Sequence, residues 1–513
     1  MTWGRGALAA VVLVCRATAA PAFQLDGPAG RMSVDGFAEG LAVFRADRAT
    51  QRQRPEGILG FKITDDLHRA VRLHLDVRTR FGGPPEHASG VGIDDLWNTF
   101  QDISPATDVE EAYADLHYRA LDVRVGKQKF FWGRLDRFSP TDVLTPRRWT
   151  DPFLTDEKDA KVGIPALQAS YFPPDLGTWA TDLKAGLAWV PVPFPTRFPL
   201  PDERWFPPAA SAAVDSINLP ANLLPGLPPP ELRMAVAAEN RRPPQQLDEG
   251  GVGLRLTGLS GPVDWGLCYY DGPETTPTLD FAVTVDAPLA IRRLAHGGTP
   301  GVSDLAVLGV ASRLTPRFGR IRLAGGDAAF RLGGFTVRAE AAYGMNREIP
   351  SSVPDLVNAA IAVATDEVHL TPNAAKLLAG RRIVLPVAPL YAERDVVNWG
   401  VGLDYLIDGW LPLLQVDQTA LLGNDRPLLV NEVDTRLLFL LRKTFLGERL
   451  GTELVAVQEL ERGATSAVGK LTYEVTDHVR VQVGYLAIAG SRRTIIGQYH
   501  ANDQGFARVR VSY

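Results

Sequence analysis

The stretch Ala70-Val71-Arg72-Leu73-His74-Leu75-Asp76-Val77-Arg78-Thr79-Arg80-Phe81 decides the fold. Val71, Leu73, Leu75 and Val77 alternate one for one with Arg72, His74, Asp76 and Arg78. Successive side chains of an extended chain point to opposite faces, so this is a strand with one apolar and one charged face. A helix would set Val71 and Leu73 about 200° apart and could not gather the apolar set on one side.

The pattern recurs. Ala112, Ala114, Leu116 and Tyr118 alternate with Tyr113, Asp115, His117 and Arg119, and Leu121, Val123 and Val125 with Asp122 and Arg124. Val263, Trp265, Leu267 and Tyr269 oppose Asp264, Gly266 and Cys268; Phe335, Val337, Ala339 and Ala341 oppose Thr336, Arg338 and Glu340. Val397, Trp399, Val401, Leu403 and Tyr405 oppose Asn398, Gly400, Gly402 and Asp404; Val479, Val481 and Val483 oppose Arg480, Gln482 and Gly484. Runs of about 9–12 residues suit strands that cross a hydrocarbon layer at a tilt, whereas soluble strands average about 5–6. Some connections are tight, such as Thr476-Asp477-His478, and others are long. The chain stops at Tyr513, with Ala507, Val509 and Val511 on the same face, which resembles the carboxy-terminal signal of outer-membrane barrels. These features predict an all-β protein: a single transmembrane antiparallel up-and-down β-barrel of about 18 strands (16 is the alternative), with long extracellular loops, in the bacterial cell outer membrane.

Composition fits. Hydrophobic residues are 45% and charged residues 22% of 513, and the longest apolar run is Ala7 to Cys15. A helical membrane protein needs runs of roughly 20. A net charge of −5 argues for no nucleic-acid partner. Arg5, the apolar Ala7 to Val14 and the small residues of Ala17-Thr18-Ala19 and Ala20-Pro21-Ala22 read as a cleaved signal peptide over 1–22, leaving 23–513 as the barrel. Cys15 falls in that leader, so Cys268 remains without an internal disulfide partner. The first strand is expected near Met32.

Two stretches break the rhythm. Residues 191–250 hold Pro191-Val192-Pro193-Phe194-Pro195 and Pro228-Pro229-Pro230, which cannot donate to a ladder, beside Trp205, Phe206, Leu223 and Leu224. This is either a surface loop or one that folds over or into the lumen and narrows it. Residues 346–395 form the second, with short helices expected at 356–365 and 374–378, the latter capped by Asn373 and kept from extending back by Pro372.

Glu111-Ala112-Tyr113, followed by Val123-Arg124-Val125-Gly126-Lys127-Gln128-Lys129-Phe130-Phe131-Trp132-Gly133-Arg134, is similar to a motif of large outer-membrane porin-like families, in which a strand ends in G-[RK]-Q and a W-G pair follows. Asp136, Pro140, Asp142 and Pro146 continue the likeness. The stretch resembles the alginate-export porins and related uncharacterised proteobacterial barrels, which implies a porin-like barrel.

If the apolar sets face lipid, then Arg72, His74, Arg78, Arg80, Asp115, Arg119 and Arg124 face the lumen, and Gln128 is placed inward as well. Gly126 can mark a bulge, which leaves the direction of Lys127, Lys129 and Trp132 open, Trp132 being equally suited to an interfacial belt. The charges form either a basic patch that favours anionic solutes or cross-strand pairs that keep the lumen polar. None of the eight histidines sits in a G-x-S-x-G or H-E-x-x-H pattern, and no metal spacing stands out. The expectation is therefore no enzyme, no catalytic residue, no cofactor and no metal. A diffusive porin or channel for small polar or anionic solutes is expected, with outer-membrane lipid, a small-molecule solute and the barrel-assembly machinery (through the strand ending at Tyr513) as partners. The alternatives are a transporter of hydrophobic compounds and a surface-binding structural barrel.

Overall fold

The computed structural model describes residues 23–26, 31–45, 55–82, 106–197, 199, 204–205, 231–238, 246–350, 371–385, 391–423, 430–492 and 494–513. The leader 1–22 and the expected helix 356–365 lie outside these residues.

The chain opens with β1 (Phe23–Asp26), which pairs with the start of β2 (Arg31–Arg45). A meander follows: β3 (Glu56–His68), β4 (Val71–Gly82), β5 (Ala106–Tyr118), β6 (Leu121–Gln128), α1 (Glu157–Ala160), β7 (Ile164–Tyr171) and β8 (Thr181–Val190). After β9 (Glu231–Ala238) come β10 (Gly251–Ser260), β11 (Val263–Pro273), β12 (Thr278–Asp286), α2 (Pro288–Ala295), β13 (Val307–Arg317), β14 (Arg320–Leu332) and β15 (Phe335–Pro350). The last part holds α3 (Thr371–Leu378), β16 (Ile383–Leu385), β17 (Tyr391–Tyr405), β18 (Trp410–Leu422), β19 (Val433–Phe445), β20 (Leu450–Glu459), β21 (Ala464–Glu474), β22 (Val479–Ala489) and β23 (Gln504–Ser512).

Eighteen of these strands, β2–β8, β10, β11, β14, β15 and β17–β23, pair antiparallel with their neighbours, and β23 returns to β2 to close the barrel. Alternation sets the two faces of the wall as the sequence implies. Leu59, Phe61, Leu73, Leu116, Leu254, Leu267, Val401 and Val483 are exposed on the outside, and Tyr118, Tyr171, Phe335, Trp410 and Tyr473 stand near its tight-turn rim. An apolar band edged by aromatic rings is the surface a membrane requires. One rim carries tight turns, as between His68 and Val71 or Ser260 and Val263, and the other carries the long connections.

Alternation does not hold everywhere on the inside. Leu438, Leu440, Val455, Val457, Leu486, Ile488 and Phe506 face inward and are buried with Leu154, Trp205 and Tyr499. The strands around them are apolar on both faces because segments from other parts of the chain cover them, which a single strand cannot reveal.

Residues 191–250 and 346–395 are not uniformly irregular. β9 lies within the first, and β15 and β17 take residues from both ends of the second. α3 begins at Thr371, so Pro372 and Asn373 lie inside its first turn and not ahead of it; proline is tolerated there because those N–H groups have no intrahelical acceptor. A third insert, between β11 and β14, supplies β12, α2 and β13. β9, β12, β13 and β16 form a separate four-stranded sheet, in which β9 runs parallel to β13. Three inserts thus share one sheet at the loop rim, tied to the wall where Glu348 accepts from Thr278 Oγ1 at 2.7 Å and meets Arg317 at 3.0 Å. A strand whose partner comes from another insert leaves no local signal in the sequence.

At the seam, Gly36 and Tyr513 exchange both backbone hydrogen bonds at 2.9 Å. The Tyr513 ring lies over Gly36, so that a Cβ there would collide with it. Gly36→Val is expected to displace the ring and lower stability by about 1–3 kcal/mol. The urea midpoint of the lipid-reconstituted protein checks this; an unchanged midpoint would show that the seam does not depend on this contact.

Candidate functional site: a segment folded across the lumen

The connection from β6 to β7, residues 129–163, does not lie over the rim. Phe130, Trp132, Leu135, Leu144 and Leu154 along it are buried, and its polar contacts reach inward-facing residues on most sides of the barrel. The turn inward starts at Gly126, whose φ of +134° carries both Lys127 and Gln128 into the interior. That backbone conformation is one side-chain-bearing residues rarely adopt.

β5 is shaped to receive the segment. Asp76 pairs with Glu111 and Val77 with Val109, so Glu110 is an extra, bulged residue. A bulge re-aims side chains, and both Glu110 and Glu111 meet the incoming chain: Glu111 accepts from the Lys129 N–H at 3.1 Å and Glu110 from Lys129 Nζ at 2.8 Å. Glu110 also meets Arg148 at 3.3 Å and Arg80 at 3.2 Å. Asp108, one turn of the pleat away, meets Arg148 at 2.8 Å and Arg197 at 2.7 Å, with Lys127 at 3.6 Å. Removing one partner of such a buried group costs about 3–5 kcal/mol, because a charge is left uncompensated.

Across the lumen the segment is held by Glu340 of β15. Its carboxylate is buried and accepts from the N–H groups of Arg134 (3.1 Å), Leu135 (3.3 Å) and Thr141 (2.9 Å) and from the hydroxyls of Ser139 and Thr141, each at 2.5 Å. Arg134 further pairs with Asp264 at 2.5 Å and Asp327 at 2.7 Å. Asp136 meets Arg338 at 3.1 Å, Phe138 lies 4.2 Å from the Arg436 guanidinium, Asp159 meets Arg78 at 2.8 Å and the Leu154 carbonyl accepts from Arg508 at 3.3 Å. Within the segment Asp142 pairs with Lys161 at 2.5 Å and accepts from the Trp132 N–H at 3.3 Å, and the Pro146 carbonyl accepts from Val162. Burial pushes the Asp142 carboxyl up and the Lys161 ammonium down, and their contact opposes both shifts. The next insert covers the segment from the loop side: Trp149 donates to the Arg197 carbonyl at 2.8 Å, and Phe153 packs on Trp205 with centroids 5.1 Å apart.

The residues expected at the lumen divide into groups. Arg78 is a tether of the segment through Asp159, and Arg80 pairs on the wall with Glu56 and with Glu110, which in turn holds Lys129 and Arg148. His74, Asp115 and Arg124 come together around Tyr113: His74 stacks on its ring at 4.8 Å, and Arg124, 3.9 Å from its centroid, donates to Asp115 at 2.6 and 2.9 Å. Gln128 is fully buried beneath the segment and donates to the Ala166 carbonyl at 3.0 Å. Arg72 sits exposed at the turn rim, 2.5 Å from Asp66. Arg119 is not on the wall. It occupies the β5–β6 turn with φ +54° and lies over the exposed Tyr118 ring at 5.3 Å, because the tight turn takes the residue that strict alternation would have counted as strand. Trp132 is inside the barrel and not in an interfacial belt, 5.8 Å from the Arg255 guanidinium. Many wall charges pair directly across strands, as Asp115 with Arg124, Asp66 with Arg72, Glu453 with Arg442 and Glu474 with Arg480. Asp108, Glu110 and Glu340 were not singled out from sequence. For Glu110 the signal is present: polar residues sit at Asp108 and Glu110 and then at Glu111, Tyr113 and Asp115, a change of phase that marks a bulge.

Below the segment, toward the turn rim, lies a cavity of about 310 Å³. Arg124, Lys184, Arg255 and Gln168 line it from the wall, and Lys129, Phe131 and Trp132 from the segment.

Glu340→Ala is expected to release the 134–141 stretch, since hydrogen bonds to a buried carboxylate are worth about 1.5–3 kcal/mol each. Limited trypsin digestion should then cut after Arg134 and Arg137 while the barrel stays folded, with Glu340→Gln intermediate. Equal protection of all three proteins would show that Glu340 is not the anchor.

No curated protein matches the chain. Among solved structures, Salmonella typhi OmpF in complex with daunomycin aligns over 96% of this chain and 100% of its own at 12% identity and a TM-score of 0.40. Pseudomonas aeruginosa OccK5 (OpdH) covers 94% and 97% at 10% identity and 0.41, and P. aeruginosa OccK8 (OprE) 94% and 97% at 9% and 0.43. The family described as a protein of unknown function, DUF1302, matches residues 94–436, a span that begins just before the bulged strand, contains the inward segment and all three inserts, and ends in β19. The chain belongs to the DUF1302 family.

Proposed function

We propose that the protein is a channel of the bacterial outer membrane that passes small polar or anionic solutes by diffusion through a lumen narrowed by residues 129–163. The observation that carries the reading is that segment: a closed 18-stranded wall is wide enough for an aqueous interior, and a connection tied to the wall by many hydrogen bonds and ion pairs crosses it. A wall of fixed charges facing a narrowed passage sets solute preference by local field. The apolar outer band suits lipid, and the last strand, ending at Tyr513, is the element the barrel-assembly machinery would read. Opposed charges along the wall do not favour alginate export, which would call for a strongly basic lumen.

A second reading, transport of hydrophobic compounds, is motivated by the apolar, proline-rich insert 191–250, whose Val192, Phe194 and Trp205 are buried against the wall and the inward segment.

Single-channel recording in a planar bilayer separates them. The wild type is expected to give small, stable steps with a reversal potential on the anion side, and Glu340→Ala larger ones. Silence from both proteins, each verified as a folded barrel, would overturn the open-channel reading and favour the second.

A further inference from the structure

The cavity beneath the segment has an unusual balance of groups. Four cations line it, Arg124, Lys129, Lys184 and Arg255, and no acid does. Three of the cations have their acid behind them: Arg124 has Asp115, Lys129 has Glu110 and Arg255 has Asp327 at 2.7 Å. Lys184 has none among the described residues; its Nζ lies 5.8 Å from the centroid of the Phe172 ring. The buried Nη1 of Arg255 also has no acceptor among the described residues. One ammonium with no acid beside it, lining the same cavity as a guanidinium N–H with no acceptor, holds a position for one more negative charge.

The opposite side of the cavity is aromatic. Phe131 is 52% exposed although it sits on the inward segment, and Trp132 lies beside it with its indole against Arg255. An exposed ring beside a cluster of cations suits a solute that carries its charge on a flat apolar body. A volume of about 310 Å³ is at the small end for ligand sites and admits a single-ring molecule. A bare inorganic anion would leave Phe131 uncovered, and a neutral aromatic would leave Lys184 unmatched.

We propose that this cavity is a binding subsite for a monocarboxylate borne on a single aromatic ring, with Lys184 and Arg255 holding the carboxylate and Phe131 and Trp132 the ring. The subsite rests on the channel reading for how its solute arrives. It places the selective step directly under the tethered segment.

The test is isothermal titration of the full-length folded protein in detergent micelles, corrected against empty micelles, with benzoate, benzyl alcohol and acetate as probes. Benzoate is expected to bind, and the other two at least about tenfold more weakly, since each lacks one of the two contacts and 1.4 kcal/mol is a factor of ten. Lys184→Gln is expected to weaken benzoate about tenfold, and Phe131→Ala to weaken benzoate while leaving acetate unchanged. Lys184 is part-exposed on the wall and outside the buried clusters, so its variant should keep the fold, which near-ultraviolet circular dichroism checks. Equal binding of all three probes, no benzoate binding, or benzoate binding indifferent to both substitutions would overturn the subsite. The two readings fail separately: a protein that conducts without binding benzoate keeps the channel and loses the subsite, and one that binds benzoate but is silent in a bilayer does the reverse.

Discussion

In hydrocarbon no water is present to satisfy a backbone N–H or carbonyl, so a sheet that crosses a membrane must close on itself. Here closure falls between β23 and β2, where Phe37 to Arg45 pair with Ser512 to Gln504 and the Tyr513 ring covers Gly36. The rest of the molecule follows from that ring of hydrogen bonds. It fixes the outward direction of one residue in two, which must be apolar, and leaves the other half to face an interior whose contents the chain has to supply.

What fills that interior is chain. The wall offers carboxylates at Asp108, Glu110, Asp327 and Glu340, and residues 129–163 answer with Lys129, Arg134, Arg148 and backbone donors. The anchors are made of groups that are costly to leave unpaired once desolvated, so the segment is held by the penalty of withdrawal as much as by the gain of contact. Its apolar residues bury against Ile164, Leu323 and Ala342 on one side and Leu438, Val457 and Leu486 on the other. The interior is therefore divided into a packed portion toward the loop rim, which holds the segment and its buried ion pairs, and a portion toward the turns lined by cross-strand charge pairs, with the cavity at the boundary.

The inserts at the loop rim obey a different economy. β9, β12, β13 and β16 come from three connections far apart in sequence and complete one sheet only when the barrel has brought the rims of β8, β11 and β15 together. The wall thus organises the inserts, and contacts such as Thr278 and Arg317 with Glu348 pass that order back to the wall.

How much of this was legible differs element by element. The faces of β4, β11, β15, β17 and β22 could be read directly from alternation, because side-chain direction in a strand is a local property with a period of two. The closed barrel, its two unlike rims and its strand number follow from repeating that local rule. The motif from Lys127 to Pro146 stood out as well, but not what it does: Gly126 left the parity open, and only the fold showed Trp132, Asp136 and Asp142 inside. Arg119 was misplaced because a tight turn and a strand end share the same alternation. Glu340 reads as an ordinary polar position of an alternating strand, and no pattern marks Lys184. Which of them is a tether and which stands without an acid among the described residues depends on what lies across the lumen, and residues 206 positions apart, such as Arg134 and Glu340, are made neighbours only by closure of the sheet. Sequence alone determined the wall, since a strand's two faces are written into each stretch of the chain; the tertiary structure decided the passage, since a lumen exists only between strands.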